Sequence, residues 1–325
     1  MQVDTSGYER LLKSLERDTS PIWQYQYLGM GRATDPLSIV QISNLVDGIS
    51  TKLNGFAVAL DVLGMVIHCA AEKDNLYRSE LGRLSITFLR NLDWSNVKRD
   101  NGRVDHELEV ILEFALGTPE ADAEKLELLR NLIAFERSSR RSYSYEGQLL
   151  APFFKHSPRE TLDAIYVADD DGTYRTAVRV VSKIESDRRE TAVQRVPTDA
   201  FIEWCEISPA DRYIFAAETC RLFEKGSEDS KSQTITDVAV RILAAADDKG
   251  RVLNIFISRF RPMSWSGPLS AVLRERLPFL GKLNPTSDST MQGEIDEAQK
   301  EFSDWISKEE KREEDEERAR SESFE

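Results

Sequence analysis

The residue types that carry most chemistry are scarce in this chain. There are 3 histidines and 3 cysteines in 325 residues. His68 and Cys69 are neighbours, but a Cys–His nucleophilic pair needs side chains that meet. Adjacent positions on a helix point about 100° apart. His68 is therefore expected as a core histidine inside an apolar helix, and His106 and His156 as surface residues. Asp169-Asp170-Asp171-Gly172 has cation-binding residue types. A calcium loop needs a bidentate Glu at its twelfth position, where this chain has Val180, so a solvated turn is expected. No Gly-x-x-x-x-Gly-Lys-Ser/Thr, Gly-x-Ser-x-Gly, His-Glu-x-x-His or Cys-x-x-Cys occurs. The expectation is a chain without catalytic, cofactor or metal residues.

What remains is chemistry of binding. Arg137, Arg140 and Arg141 with Tyr143 and Tyr145 form a basic and aromatic cluster. Guanidinium groups neutralise phosphates and aromatic rings stack on bases, so such a cluster suits nucleic acid. Ser186–Arg195 is similar. Against it stands a formal net charge of −14, which repels phosphate backbones. Trp265 sits between Pro262 and Gly267, either as a plug between two packed helices or as an exposed anchor for a partner. Trp265, Arg137, Arg140, Arg141, Tyr143 and Tyr145 are the candidate partner-binding residues.

Composition sets the class. Hydrophobic residues make up 40% and charged residues 31%, as in a helix-rich protein with much surface per core residue. Three cysteines without pair spacing fit a reducing compartment. The N-terminus is polar. The longest apolar block, Phe56–Ala71, has 16 residues, short of the roughly 18 a membrane span needs. A cytoplasmic, soluble chain with no membrane contact is expected.

The elements that must position these residues are helices. Leu37, Ile39, Val40, Ile42, Leu45, Val46 and Ile49 recur at helical spacing, after Asp35 as cap and Pro36 at the first turn. Further helices are predicted over 76–92, 104–116, 121–137, 148–154, 161–166, 201–206, 212–223, 236–246 and 293–320. A helical hairpin spans Asp247–Leu283 about the hinge Arg261–Pro268. Residues 226–233 read as a loop. Helix pairs recurring every 35–50 residues predict an all-α fold, an α-solenoid of HEAT-like helical hairpins. A closed helical bundle is the alternative. One irregular or short β-hairpin insertion is expected near 168–196, where β-branched residues alternate. The expected organisation is 1–35, an N-terminal helix and aromatic loop; 36–166, a first helical body; 167–198, the insertion; 199–284, a second helical body; and 285–325, a linker and charged C-terminal helix.

Three sequence words carry a resemblance. They are Trp204-Cys205 followed by Pro209-Ala210-Asp211-Arg212-Tyr213, the hinge Pro262-Met263-Ser264-Trp265-Ser266-Gly267, and the ending Arg318–Glu325 after a charged helix. In this order they resemble the C-terminal helical-repeat region of large bacterial STAND/NTPase-type antiphage defence proteins. The resemblance covers mainly 200–325 and more faintly 35–165. It implies a helical-repeat scaffold or sensor that binds a protein partner, such as an NTPase or nuclease effector encoded nearby. This chain starts at Met1 without the NTPase or nuclease part, so it is expected to be a separate subunit or a piece of a larger protein. Two other classes stay open: a nucleic-acid-binding accessory protein using the Arg/Tyr loops, and a cryptic metal-dependent enzyme built from acidic residues.

Overall fold

The computed structural model describes residues 5–17, 37–52, 55–92, 94, 103–119, 122–138, 149–166, 192–225, 233–260, 267–284 and 289–322. Among the described residues there are fourteen α-helices and one pair of short strands. The chain divides into two compact units, Met1–Ile165 and Tyr166–Glu325.

The first unit holds α1 (Thr5–Arg17), α2 (Ile39–Ser50), α3 (Gly55–Cys69), α4 (Asn75–Arg90), α5 (Arg103–Leu116), α6 (Asp122–Ser138), α7 (Ala151–His156) and α8 (Pro158–Ile165). Helix α2 starts where Ser38 caps it. The Ser38 hydroxyl accepts from the Gln41 amide, and the Gln41 side chain accepts from the Ser38 amide. This cap lies three residues past the expected Asp35, because the reciprocal Ser–Gln pair satisfies two free amides at once. Ile42, Leu45, Val46 and Ile49 then form one buried stripe. Asp74 caps α4 by accepting from the Tyr77 amide at 2.8 Å.

Helix α3 is apolar on most of its circumference and is buried on most of it, as such a helix must be. A 3-10 turn, Ala70–Glu72, extends it. The combined segment Gly55–Glu72 is 18 residues long, longer than the 16-residue block seen in the sequence. By length and composition it could cross a membrane, yet 56% of it is buried inside the protein. It packs against α2 and α5.

The helix pairings of this unit form two rows. Helices α2, α4, α6 and α8 pack successively on one another, and so do α3, α5 and α7. The rows are joined where α2 meets α3, α4 meets α5 and α7 meets α8. Each main pairing joins helices no more than two apart in the chain. Close approach in this stack depends on Gly82 of α4. A Cβ there would lie 2.1 Å from Thr118 Oγ1 and 2.7 Å from Thr118 Cβ.

The second unit holds a 3-10 turn (Ala192–Arg195), α9 (Thr198–Glu206), α10 (Pro209–Thr219), β1 (Phe223–Lys225), β2 (Gln233–Ile235), α11 (Asp237–Ala245), α12 (Lys249–Arg259), α13 (Leu269–Lys282) and α14 (Ser289–Glu322). Consecutive helices again pair with near neighbours: α9 with α10 and α11, α10 with α11 and α12, α12 with α14, and α13 with α14. The expected insertion at 167–198 lies largely outside the described residues. The described strands stand elsewhere. Antiparallel β1 and β2 pair Phe223 with Ile235, Glu224 with Thr234 and Lys225 with Gln233. A helix as far as Phe223 and a loop at 226–233 are expected from the sequence. The helix instead ends at Thr219, and the strands form because Phe223 and Ile235 bury together at one end of the ladder. At the start of α13, Gly267 has φ 83°, a left-handed conformation that favours glycine.

Helices α13 and α14 make an antiparallel hairpin. Ser270 meets Glu313, Arg274 meets Glu310, and Asn284 meets Gln292. Met291, Ile295, Ala298, Phe302 and Ile306 of α14 are buried, with Trp305 half-buried. Helix α14 begins at Ser289, inside the expected linker, and runs 34 residues, about 50 Å at ~1.5 Å per residue.

Candidate functional site

Of the candidate binding residues, Arg137 lies in the last turn of α6. Arg140, Arg141, Tyr143, Tyr145 and Trp265 lie outside the described residues. The histidines distribute differently from expectation. His68 is exposed, because the helical phase that puts Val66 and Ile67 inside turns Ala57 and His68 outward. His106 is exposed as expected, and His156 is half-buried.

His156 meets a carboxylate of the neighbouring helix. Its Nε2 lies 3.0 Å from Glu113 Oε1, and Lys155 pairs with the same carboxylate oxygen. Burial pushes the Glu113 carboxyl up. The hydrogen bonds and charges of Lys155 and His156 outweigh that, and the net shift is downward. The arrangement joins a Lys–Glu ion pair and a His–Glu hydrogen bond on one carboxylate oxygen and ties α5 to α7.

The polar chemistry of the second unit is dominated by arginines placed at helix ends. A helix leaves its last carbonyls without donors, and its C-terminus carries partial negative charge. Arg212 Nη1 donates to the Trp204 carbonyl near the end of α9, at 3.0 Å. Its guanidinium lies 4.4 Å over the Trp204 ring. Arg259 donates to the Ala217 and Cys220 carbonyls at the end of α10, at 2.5 and 2.7 Å. Arg276 Nη1 donates to the Phe260 carbonyl, which caps α12, at 2.9 Å, and its guanidinium lies 4.7 Å over the Phe223 ring. Lys125 does the same in the first unit, donating to the Thr118 carbonyl beyond α5 at 2.7 Å. The three arginines cap helix ends, and Arg212 and Arg276 also stack on rings. That use keeps a buried charge paired, and it explains Arg212 in the Pro209–Tyr213 word without assigning it a ligand.

Around Arg212 the rings of Tyr166, Trp204 and Phe215 meet edge to face, with centroids 5.4–5.7 Å apart. Tyr213 is buried beside this group. Its hydroxyl has no hydrogen-bond partner among the described residues. Burial, with the nearby carboxylates of Glu206 and Asp247, pushes its pKa up to about 12, so it stays a neutral phenol. Burial likewise pushes the Cys205 thiol up, which suppresses the reactive thiolate. Among the described residues no group of three or more His, Cys, Asp or Glu side chains is placed to hold a metal ion.

Exposed features complete the picture. Val40, Leu76 and Ile207 are large apolar residues at least half exposed. Val40 and Leu76 occupy the first turns of α2 and α4, two helices of one row. Residues Glu314–Glu322 of α14 are exposed on every side. Arg312 pairs within the helix with Glu309 and Glu316, three and four residues away. The architecture is that of an all-α protein. Compared with protein-family models, curated proteins and solved structures, the chain matches none.

Proposed function

We propose that this chain is a non-catalytic helical-repeat scaffold or sensor subunit that binds a protein partner in a cytoplasmic bacterial antiphage defence complex. The observation that carries the reading is the two-row packing of α2 to α8. Each helix rests on near neighbours in the chain, the pattern expected of an α-solenoid of HEAT-like hairpins. Stacked hairpins offer long faces that bind without a catalytic constellation. The exposed Val40 and Leu76 on one row and the charged arm of α14 are surfaces of that type. The resemblance of 200–325 to defence-protein helical regions names an NTPase or nuclease effector as the partner class.

The test is affinity purification of the tagged full chain from its host, with the bound protein identified and its stoichiometry measured. A stoichiometric effector whose recovery falls when Val40 and Leu76 are changed together to Asp supports the reading. Recovery of the chain alone sinks it.

A further inference from the structure

Helix α13 starts behind Pro268, which has no side-chain acceptor for the free amides of the first turn. A residue of another helix fills the role. Ser270 gives its backbone amide to Glu313 Oε1 at 3.2 Å and its hydroxyl to Oε2 at 2.5 Å. The carboxylate also faces the positive end of the α13 dipole. One turn along, Arg274 pairs with Glu310.

These ties sit apart from the apolar seam. The buried series of α14 ends at Ile306. From Ser307 to Arg312 every side chain is exposed or half-buried, and beyond Glu313 all are exposed. The links from this stretch to α13 include the Arg274–Glu310 pair and the Glu313 carboxylate.

We infer that Glu313 is a latch. Engaged, it caps α13 and holds the later turns of α14 along it, leaving Glu314–Glu322 as a projecting arm. Released, it uncaps α13 and loosens α14 from Ser307 onward, the Arg274–Glu310 pair giving way with it, while the Met291–Ile306 seam stays packed. The arm then lengthens from about 14 Å to about 24 Å at ~1.5 Å per helical residue. The reach of a highly charged helix is thus set by one carboxylate 43 residues from its partner. Only the consequence for a bound partner rests on the scaffold reading. The latch does not, so its test involves no partner.

The test is hydrogen–deuterium exchange of the full chain by mass spectrometry, comparing wild type, Glu313→Gln, Ser270→Ala and the neighbouring control Glu314→Gln. Exchange reports local opening, and loss of a helix cap corresponds to about a five- to tenfold change. Glu313→Gln is expected to speed exchange by that factor in both 269–273 and 307–322, with 291–306 unchanged. Ser270→Ala, which leaves α14 untouched and keeps the backbone bond to Glu313, is expected to give the same coupled pattern at smaller amplitude, and Glu314→Gln to match wild type. No change in either segment, change in only one, or opening of 291–306 together with the arm overturns the latch.

Discussion

Arg276 reaches from the middle of α13 to the carbonyl of Phe260 at the end of α12, 2.9 Å away, and lays its guanidinium over Phe223. One buried side chain thereby joins two helices and the β-hairpin. Arg276→Ala removes the donor from a helix-end carbonyl and the cation from the ring. We expect a loss of roughly 2–4 kcal/mol, the sum of an unsatisfied buried acceptor and a desolvated cation–π contact. Urea unfolding checks it. Arg276→Lys is expected to recover only part of the loss, because an ammonium cannot stack as a planar guanidinium does.

Gly82 and Gly64 make a matched pair of tests. A Cβ at Gly82 meets Thr118 Oγ1, Cβ and Cγ2 within 2.8 Å, and the Cβ atom cannot swing away. Gly82→Ala is expected to cost about 1–3 kcal/mol by overpacking. A Cβ at Gly64 meets the Glu107 carboxylate, the far end of a flexible side chain. Gly64→Ala is expected to be near neutral, with up to about 1 kcal/mol of helix propensity in its favour. Thermal melting of the two variants, run side by side, separates them.

Acid titration should expose the ion clusters. The pKa of Glu113 is lowered, because its hydrogen bonds and charge contacts with Lys155 and His156 outweigh desolvation. The pKa of Glu313 is lowered chiefly by the Ser270 hydroxyl. A depressed carboxylate stabilises the fold fully above its ordinary value of 4.5 and loses that contribution as pH falls through the lower folded value. Unfolding midpoints measured from pH 7 downward should fall below this point. In Glu113→Gln the fall should be smaller.

Thiol labelling should separate the three cysteines. Cys69 is half-buried, whereas Cys205 and Cys220 are buried. Burial also raises the Cys205 pKa. An aromatic disulfide reagent at pH 8 is expected to modify Cys69 in the native protein and the other two only after denaturant is added. Rapid native reaction of all three would contradict the packing around Trp204.

Much of the fold was legible because it rests on local periodicity. Ile42, Leu45, Val46 and Ile49 announce the buried stripe of α2, and the Phe56–Ala71 block announces a core helix. The boundaries of α5 and α6 fall within a residue of expectation. Other features rest on contacts the local pattern does not encode. Three-residue strands are too short to show a period of two, so the local pattern carries no sign of β1 and β2. His68 follows helical phase, which a run of apolar neighbours hides. Arg212, Arg259 and Arg276 donate to backbone carbonyls, acceptors that have no sequence signature. Glu313 reads as one acid among many, and only its antiparallel alignment with Ser270 distinguishes it. The sequence signal available for that contact was Pro268, a helix start with no cap of its own.

The central claim is binding of a protein partner by a helical-repeat chain. Its most direct test is the molar mass, by size exclusion with light scattering, of the full chain co-expressed with the NTPase or nuclease effector proposed as its partner. The account predicts one peak whose mass equals 37.0 kDa per copy of this chain plus the effector in a whole-number ratio. The two proteins eluting separately at their own masses would contradict it.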